Sequence, residues 1–333
     1  MVMQVLDAID SFLYYPVLLI VMGAAGLYFS VRMGFVQVRM LSEAIRVMKA
    51  KPADNSGTSP FQALMISTAS CVGTGIIIGV SSAICLGGPG AAFWMTIMAL
   101  LGCASSFTEC TLAQVYKKKS ADGSSYGGPA YYIHDFFAKR RVPAGERSEA
   151  EIAAQSEFRG KRNIVSILFA VSALVCWGGI SQVIGNSVSS AFENAFRIPP
   201  LYSTIVLVAI AAVIVLRKHA TAKVLDLIVP FMAGIYFAMT VFVIVRNIGL
   251  LPSVFSRIFA EAFGLRQMVA GGFGAVLMNG VKRGLFSNEA GEGSIPNAAA
   301  TASVTHPVKQ GLVQAFGVYV DTWIVCSATA FIV

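Results

Sequence analysis

An all-α polytopic membrane bundle is the fold class this sequence predicts, and three observations predict it. Hydrophobic residues make up 56% of the 333-residue chain, charged residues 13%, and the mean hydropathy is +0.70; soluble domains carry about a quarter charged residues. The apolar residues gather into eight stretches, most of them near the roughly 20 residues that cross about 30 Å of hydrocarbon. Two of those stretches, the second and the seventh, carry glycines at mid-span. Regular helix is weakened there, where no water can satisfy freed backbone groups. In secondary transporters such interruptions hold solute and coupling ion near the midplane. The other reading is that the glycines let a neighbouring helix approach closely.

The chain reads as one membrane domain over residues 1–333. Ser11 to Val31 is the first span, with Tyr14, Tyr15 and Tyr28 suited to interfacial depths. Residues 32–57 form an amphipathic, cytoplasmic segment that places Arg39, Arg46, Lys49 and Lys51 on an anionic leaflet. Phe61 to Gly90 is the second span, FQALMISTASCVGTGIIIGVSSAICLGGPG, with Gly73-Thr74-Gly75 at its centre. Gly87-Gly88-Pro89-Gly90 turns the chain into the third span, Ala91 to Val115. Residues 117–162 are a long polar cytoplasmic loop, with a short mixed-charge helix expected around Glu146 to Phe158. Asn163 to Ser190, Leu201 to Leu216 and Val224 to Val245 are the fourth to sixth spans, and Asn247 to Gln267 is an amphipathic connector. Met268 to Leu285 is the seventh span, interrupted by Gly271, Gly272, Gly274 and Gly280. Phe286 to Pro307 is polar and rich in small residues, and Val308 to Val333 is the eighth span.

Charge orients the bundle. With alternating spans and the Arg39 side inside, 21 of the 25 Lys and Arg are cytoplasmic, Lys282 and Arg283 among them, which places the N-terminus outside. The net charge of +8 is then a property of basic loops rather than of nucleic-acid binding. The six cysteines lie in apolar segments without a CxxC pair, so neither a disulfide framework nor a zinc site is indicated. Residues 1–10 have no basic n-region, and no cleavable signal peptide is read there.

The two weakened spans stand five apart, which suggests inverted repeats of five helices, each opening with a discontinuous helix. Half-helix N-termini would offer unpaired N–H groups to a carboxylate, and unwound carbonyls would offer oxygens to a hard cation.

Gly280 to Ala298, GVKRGLFSNEAGEGSIPNA, resembles the hallmark segment of the alanine or glycine:cation symporters, also called sodium:alanine symporters. So do GTGxxxGV at Gly73 to Val80, GGPGAAFWM at Gly87 to Met95, GGPAYYI at Gly127 to Ile133, and HPVKQGLV…GVYVDTWIVCSATAF from His306 to Phe331. The resemblance implies a fold like that of the bacterial leucine transporter, preceded by one extra helix. It also implies uptake of alanine or glycine driven by Na⁺ or H⁺ across a prokaryotic cytoplasmic membrane. The chain departs from the family at Ile76, where GTGN is usual, at Ile184, where a glutamine is common, and at Glu292, where the family is usually apolar. Against the family the chain reads as short at its C-terminal end, with the second repeat incomplete after Val333.

The candidate residues follow from these readings. Gly73, Thr74 and Gly75 would present backbone donors to the solute carboxylate, and Thr74 would also ligate the ion or cap the second half-helix; its alternative is a back-bond to the preceding turn. Gly271, Gly272, Phe273 and Gly274 would form the opposing break, with Phe273 closing over a small side chain. Gln182 and Asn186 would contact solute or bond to neighbouring helices. Thr74, position 76 and Asp321 are the coupling-ion candidates, Asp321 because an ionisable group inside a span is a functional candidate by default. Glu109, near Lys117, is read either in that way or as interfacial. Arg283, Ser287, Asn288 and Glu289 are read as a gate network at the cytoplasmic end. No cofactor is expected beyond the coupling ion, and the partners are a small amino acid and the lipid bilayer; the oligomeric state is not legible. A truncated, non-transporting binding or scaffold protein is the alternative function. An enzyme is not indicated, since no HExxH occurs.

Overall fold

In the computed structural model the described residues are 2–53, 58–71, 74–120, 124–139, 163–216, 220–264 and 272–333. Helix dominates them, and the one sheet is a two-residue antiparallel ribbon, Lys118–Lys119 against Ser125–Tyr126.

The chain opens with α1 (Val2–Phe12), a π-helical stretch (Leu13–Leu18) and α2 (Leu19–Arg32). The π stretch contains Pro16, whose missing N–H breaks the regular ladder there. Gly34 and Phe35 then take successive left-handed conformations, φ 59° and 51°, and redirect the chain into α3 (Val36–Arg39) and α4 (Leu41–Met48). The amphipathic segment expected over 32–57 is thus two short helices. α4 buries Ala44 and Val47 and leaves Arg46 outside, paired with Glu43 at 2.7 Å.

α5 (Pro60–Cys71) and α6 (Thr74–Gly87) follow, and Pro60–Cys71 meets Gly75–Gly87 at an angle of 43°. α7 (Ala91–Val115) is the helix on which the others converge: α2, α13 (Gly272–Asn288), α14 (Ser294–Thr301) and α15 (Pro307–Tyr319) all pack on it. Gly280 and Gly284 of α13 let it approach. A Cβ at Gly280 would stand 2.5 Å from the Ala91 carbonyl oxygen, and one at Gly284 would stand 3.1 Å from Met95 Cα. This is the small-xxx-small contact by which membrane helices gain close van der Waals packing.

α8 (Pro129–Lys139) lies within the expected polar loop; the helix expected around Glu146 to Phe158 falls outside the described residues. α9 (Ile164–Phe196) starts on Asn163, whose side chain accepts the Val165 N–H at 2.8 Å, and ends at left-handed Arg197. α10 (Pro200–Leu216), α11 (Ala220–Arg246) and α12 (Leu251–Ala262) complete the middle of the chain. After α15 the last crossing continues through a π segment, Val320–Cys326, into α16 (Ser327–Ile332).

Among the described residues four helices are long and apolar enough to cross a membrane: Ala91–Val115, Ile164–Phe196, Ile228–Arg246 and Pro307–Ile332. The bent α5–α6 pair makes a fifth, and Leu19–Arg32 and Pro200–Ile214 are shorter apolar helices. The first and last of the four are more than half buried, whereas Ile164–Phe196 and Ile228–Arg246 are 6% and 11% buried. The core therefore lies along α7 and α15–α16, and the apolar surfaces of α9 and α11 face outward, as suits hydrocarbon.

Candidate functional site

The seventh span is interrupted beyond its glycine cluster. Gly272, left-handed at φ 61°, opens α13 with Phe273 and Gly274, and the helix runs unbroken to Asn288. The break comes afterwards. Glu289, Gly291 and Gly293 adopt φ of 48°, 86° and 95°, left-handed values that no continuous right-handed helix accommodates. A new helix, α14, begins at Ser294. Ser287, Asn288 and Glu289, grouped in the sequence with a gate at one end, therefore stand at the interruption itself.

This interruption faces the one in the second span. Ser70, in the last turn of α5, donates to both Glu289 carboxylate oxygens, at 3.0 and 3.1 Å. Ser294, opening α14, donates to the same carboxylate. A Cβ on Gly75 would lie 3.4 Å from the Phe286 ring, so the start of α6 abuts the end of α13. Asp321 is 2% exposed, and its Oδ1 has no hydrogen-bond partner among the described residues. It sits in the π segment of the last span, where Cys326 also contacts Ser287, Sγ to Oγ 2.8 Å. From α7, Glu109 accepts the Gly291 N–H at 3.0 Å; from α9, the Cys176 thiol approaches Glu292 at 3.8 Å.

Several sequence candidates lie elsewhere. Phe273, 39% exposed, stacks edge-on with Trp94 at 6.1 Å in an aromatic group at the start of α7, away from the break. Nothing lies within 4 Å of a Cβ built on Gly274. Gln182 and Asn186 are exposed on α9 and make no side-chain hydrogen bond among the described residues. Ile76 is fully buried among Val80, Ala83, Met95, Val325 and Cys326, and an aliphatic side chain there offers a cation no oxygen. Arg283 and Lys282 lie between Gly280, against Ala91 and Trp94, and Gly284, against Met95 and Met98. They belong to the Ala91 end of α7, not to the Lys117 end with which the charge count grouped them. Gly73, Gly271 and the Thr74 side chain fall outside the described residues.

Sequence reasoning missed Ser70 and Ser294, which donate to the Glu289 carboxylate. Their signal was proximity to the glycine pairs Gly73-x-Gly75 and Gly291-x-Gly293.

A multi-pass helical membrane protein, whose two interrupted helices meet at buried carboxylates, is the class this fold and site define. The sequence model of the sodium:alanine symporter family matches residues 1–333. The chain belongs to that family. It is 45% identical over 328 residues to a Bacillus subtilis protein named probable sodium/glutamine symporter GlnT, covering 97% of this chain and 64% of the relative. It is 43% identical over 331 residues to the amino-acid carrier protein AlsT of the same organism, covering 98% and 64%. With the sodium/alanine symporter AgcS of Methanococcus maripaludis it shares 34% over 334 residues, covering 99% and 70%. The chain thus spans 64% of the length of the two Bacillus relatives.

Proposed function

We propose that the protein is a secondary active transporter that couples Na⁺ to the uptake of a small neutral amino acid, alanine or glycine, by alternating access. The observation that carries this is the meeting of the two interruptions through Ser70 and Glu289. Broken helices that face each other at depth are the form in which transporters present backbone groups to a solute. In this reading the start of α6 at Thr74 and Gly75, with Gly73 just before it in the sequence, takes the solute carboxylate, and carbonyls at the end of α13 take its ammonium group. Asp321, with a buried oxygen lacking a partner, is the protein's candidate cation ligand. The reading extends to a leucine-transporter-like arrangement in which α5 to α11 form one repeat and α13 opens its inverted counterpart. It also places the N-terminus outside.

The relatives' names divide between alanine and glutamine, so the test must separate them. Full-length protein in proteoliposomes should take up radiolabelled alanine when Na⁺ is imposed outside. Glycine should compete and glutamine should not. Uptake driven by a pH gradient alone would replace Na⁺ with H⁺, and dominant glutamine competition would replace the substrate. The reading of a non-transporting scaffold is not favoured by the family comparisons.

A further inference from the structure

We infer that Glu109 is the positioning residue of the second interruption, fixing from α7 the peptide at Gly291. The inference extends the transport reading through its uptake readout, while its geometry stands apart from that reading.

Three left-handed residues between Glu289 and Gly293 prevent helical hydrogen bonds from running through the break. The N–H groups inside it lose their helical acceptors and must find others. Two are served locally: Ala290 N–H donates to Asn288 Oδ1 at 3.1 Å, and Glu292 N–H donates to the Glu289 carbonyl at 3.1 Å. The third, Gly291 N–H, leaves the segment and donates to Glu109 Oε1 at 3.0 Å. Glu109 is 8% exposed and belongs to the helix on which α2, α13, α14 and α15 pack. One side-chain oxygen thus ties the break to the best-supported element of the bundle. At Gly102, earlier on α7, a built Cβ would already lie 3.0 Å from Ala290 Cβ, so the segment has little room to follow a shortened side chain.

What the bond requires is an acceptor at the reach of a glutamate. Glutamine supplies one without charge; aspartate keeps the charge and falls a methylene short. Hydrogen–deuterium exchange over Glu289–Gly293 in the purified full-length protein separates the two. E109Q should protect the segment as the parent protein does, and E109D should speed its exchange about tenfold or more as the tie opens. In proteoliposomes E109D should raise KM for the amino acid with Vmax largely kept, and E109Q should do neither. Loss of protection in E109Q, or full protection in E109D, overturns the assignment. An unchanged KM with only less folded protein reduces Glu109 to a structural residue. If E109D does not fold, E109Q alone decides by the same exchange measurement. Absence of any amino-acid uptake by the parent protein would sink the transport reading and leave the exchange result standing.

Discussion

Asp321 is the residue whose surroundings are hardest to explain structurally. Asp321 is 2% exposed, and its Oδ1 has no hydrogen-bond partner among the described residues. Burying a carboxylate so poorly satisfied costs stability unless something else meets it. Ile76 is held in a closed apolar cluster, so in the proposed transport cycle the charge for a cation would come from Asp321. Asp321→Asn keeps the shape and removes that charge. Since a contact to a charged group is worth about 1.5–3 kcal/mol, the Na⁺ concentration for half-maximal uptake should rise roughly tenfold or more. Titrating uptake against Na⁺ at saturating amino acid measures this. An unchanged half-saturation point would remove Asp321 from the coupling site. Thermal stability of the variant should hold or improve, because an unpaired buried charge is gone.

At the scale of elements the sequence pointed to the interruption in the second span and passed over the one from Glu289 to Gly293, for a physical reason. A glycine in a membrane helix either breaks it or lets a neighbour close in, and the residue type is the same in both cases. Gly73-Thr74-Gly75 falls where α5 gives way to α6. Gly271, Gly272 and Gly274 looked denser than Gly291 and Gly293, yet Gly272 and Gly274 open a helix, whereas Gly291 and Gly293 lie between the end of one helix and the start of the next. Side-chain substitution tells the uses apart. Gly280→Ala would push a methyl against the Ala91 carbonyl and part α13 from α7, whereas Gly274→Ala meets open space. The expected outcome is that Gly280→Ala lowers the melting temperature in detergent by an amount reflecting about 1–3 kcal/mol of overpacking. Gly274→Ala should leave stability and uptake unchanged or slightly raise stability, through helix propensity of up to about 1 kcal/mol. A transport defect in Gly274→Ala with normal stability would restore the first turn of α13 to the binding site.

For the whole molecule, its helical, polytopic character and the family were legible, because apolar length and local motifs are written in consecutive residues. Depth along a span was not. Lys282 and Arg283 counted as cytoplasmic only while the seventh span was taken to end near Leu285; the interruption puts them in its first half, level with the start of α7. The rest of the charge bias is untouched, and the expectation it carries is that the Lys117 end lies inside. Two positions report on this at opposite ends of the bundle. Ser120 follows Lys117, whose Nζ donates to the Ala302 carbonyl at 2.8 Å, and Asn247 shares a cavity wall with Gly88 and Ala92 beside the start of α7. In a background with the exposed Cys85 and Cys176 replaced by serine, Asn247→Cys in intact cells should react with a membrane-impermeant maleimide. Ser120→Cys should react only after the cells are opened. The reverse pattern would invert the bundle. It would turn the interrupted helices end for end and exchange which half of each faces the side from which solute arrives, without disturbing a single contact between them.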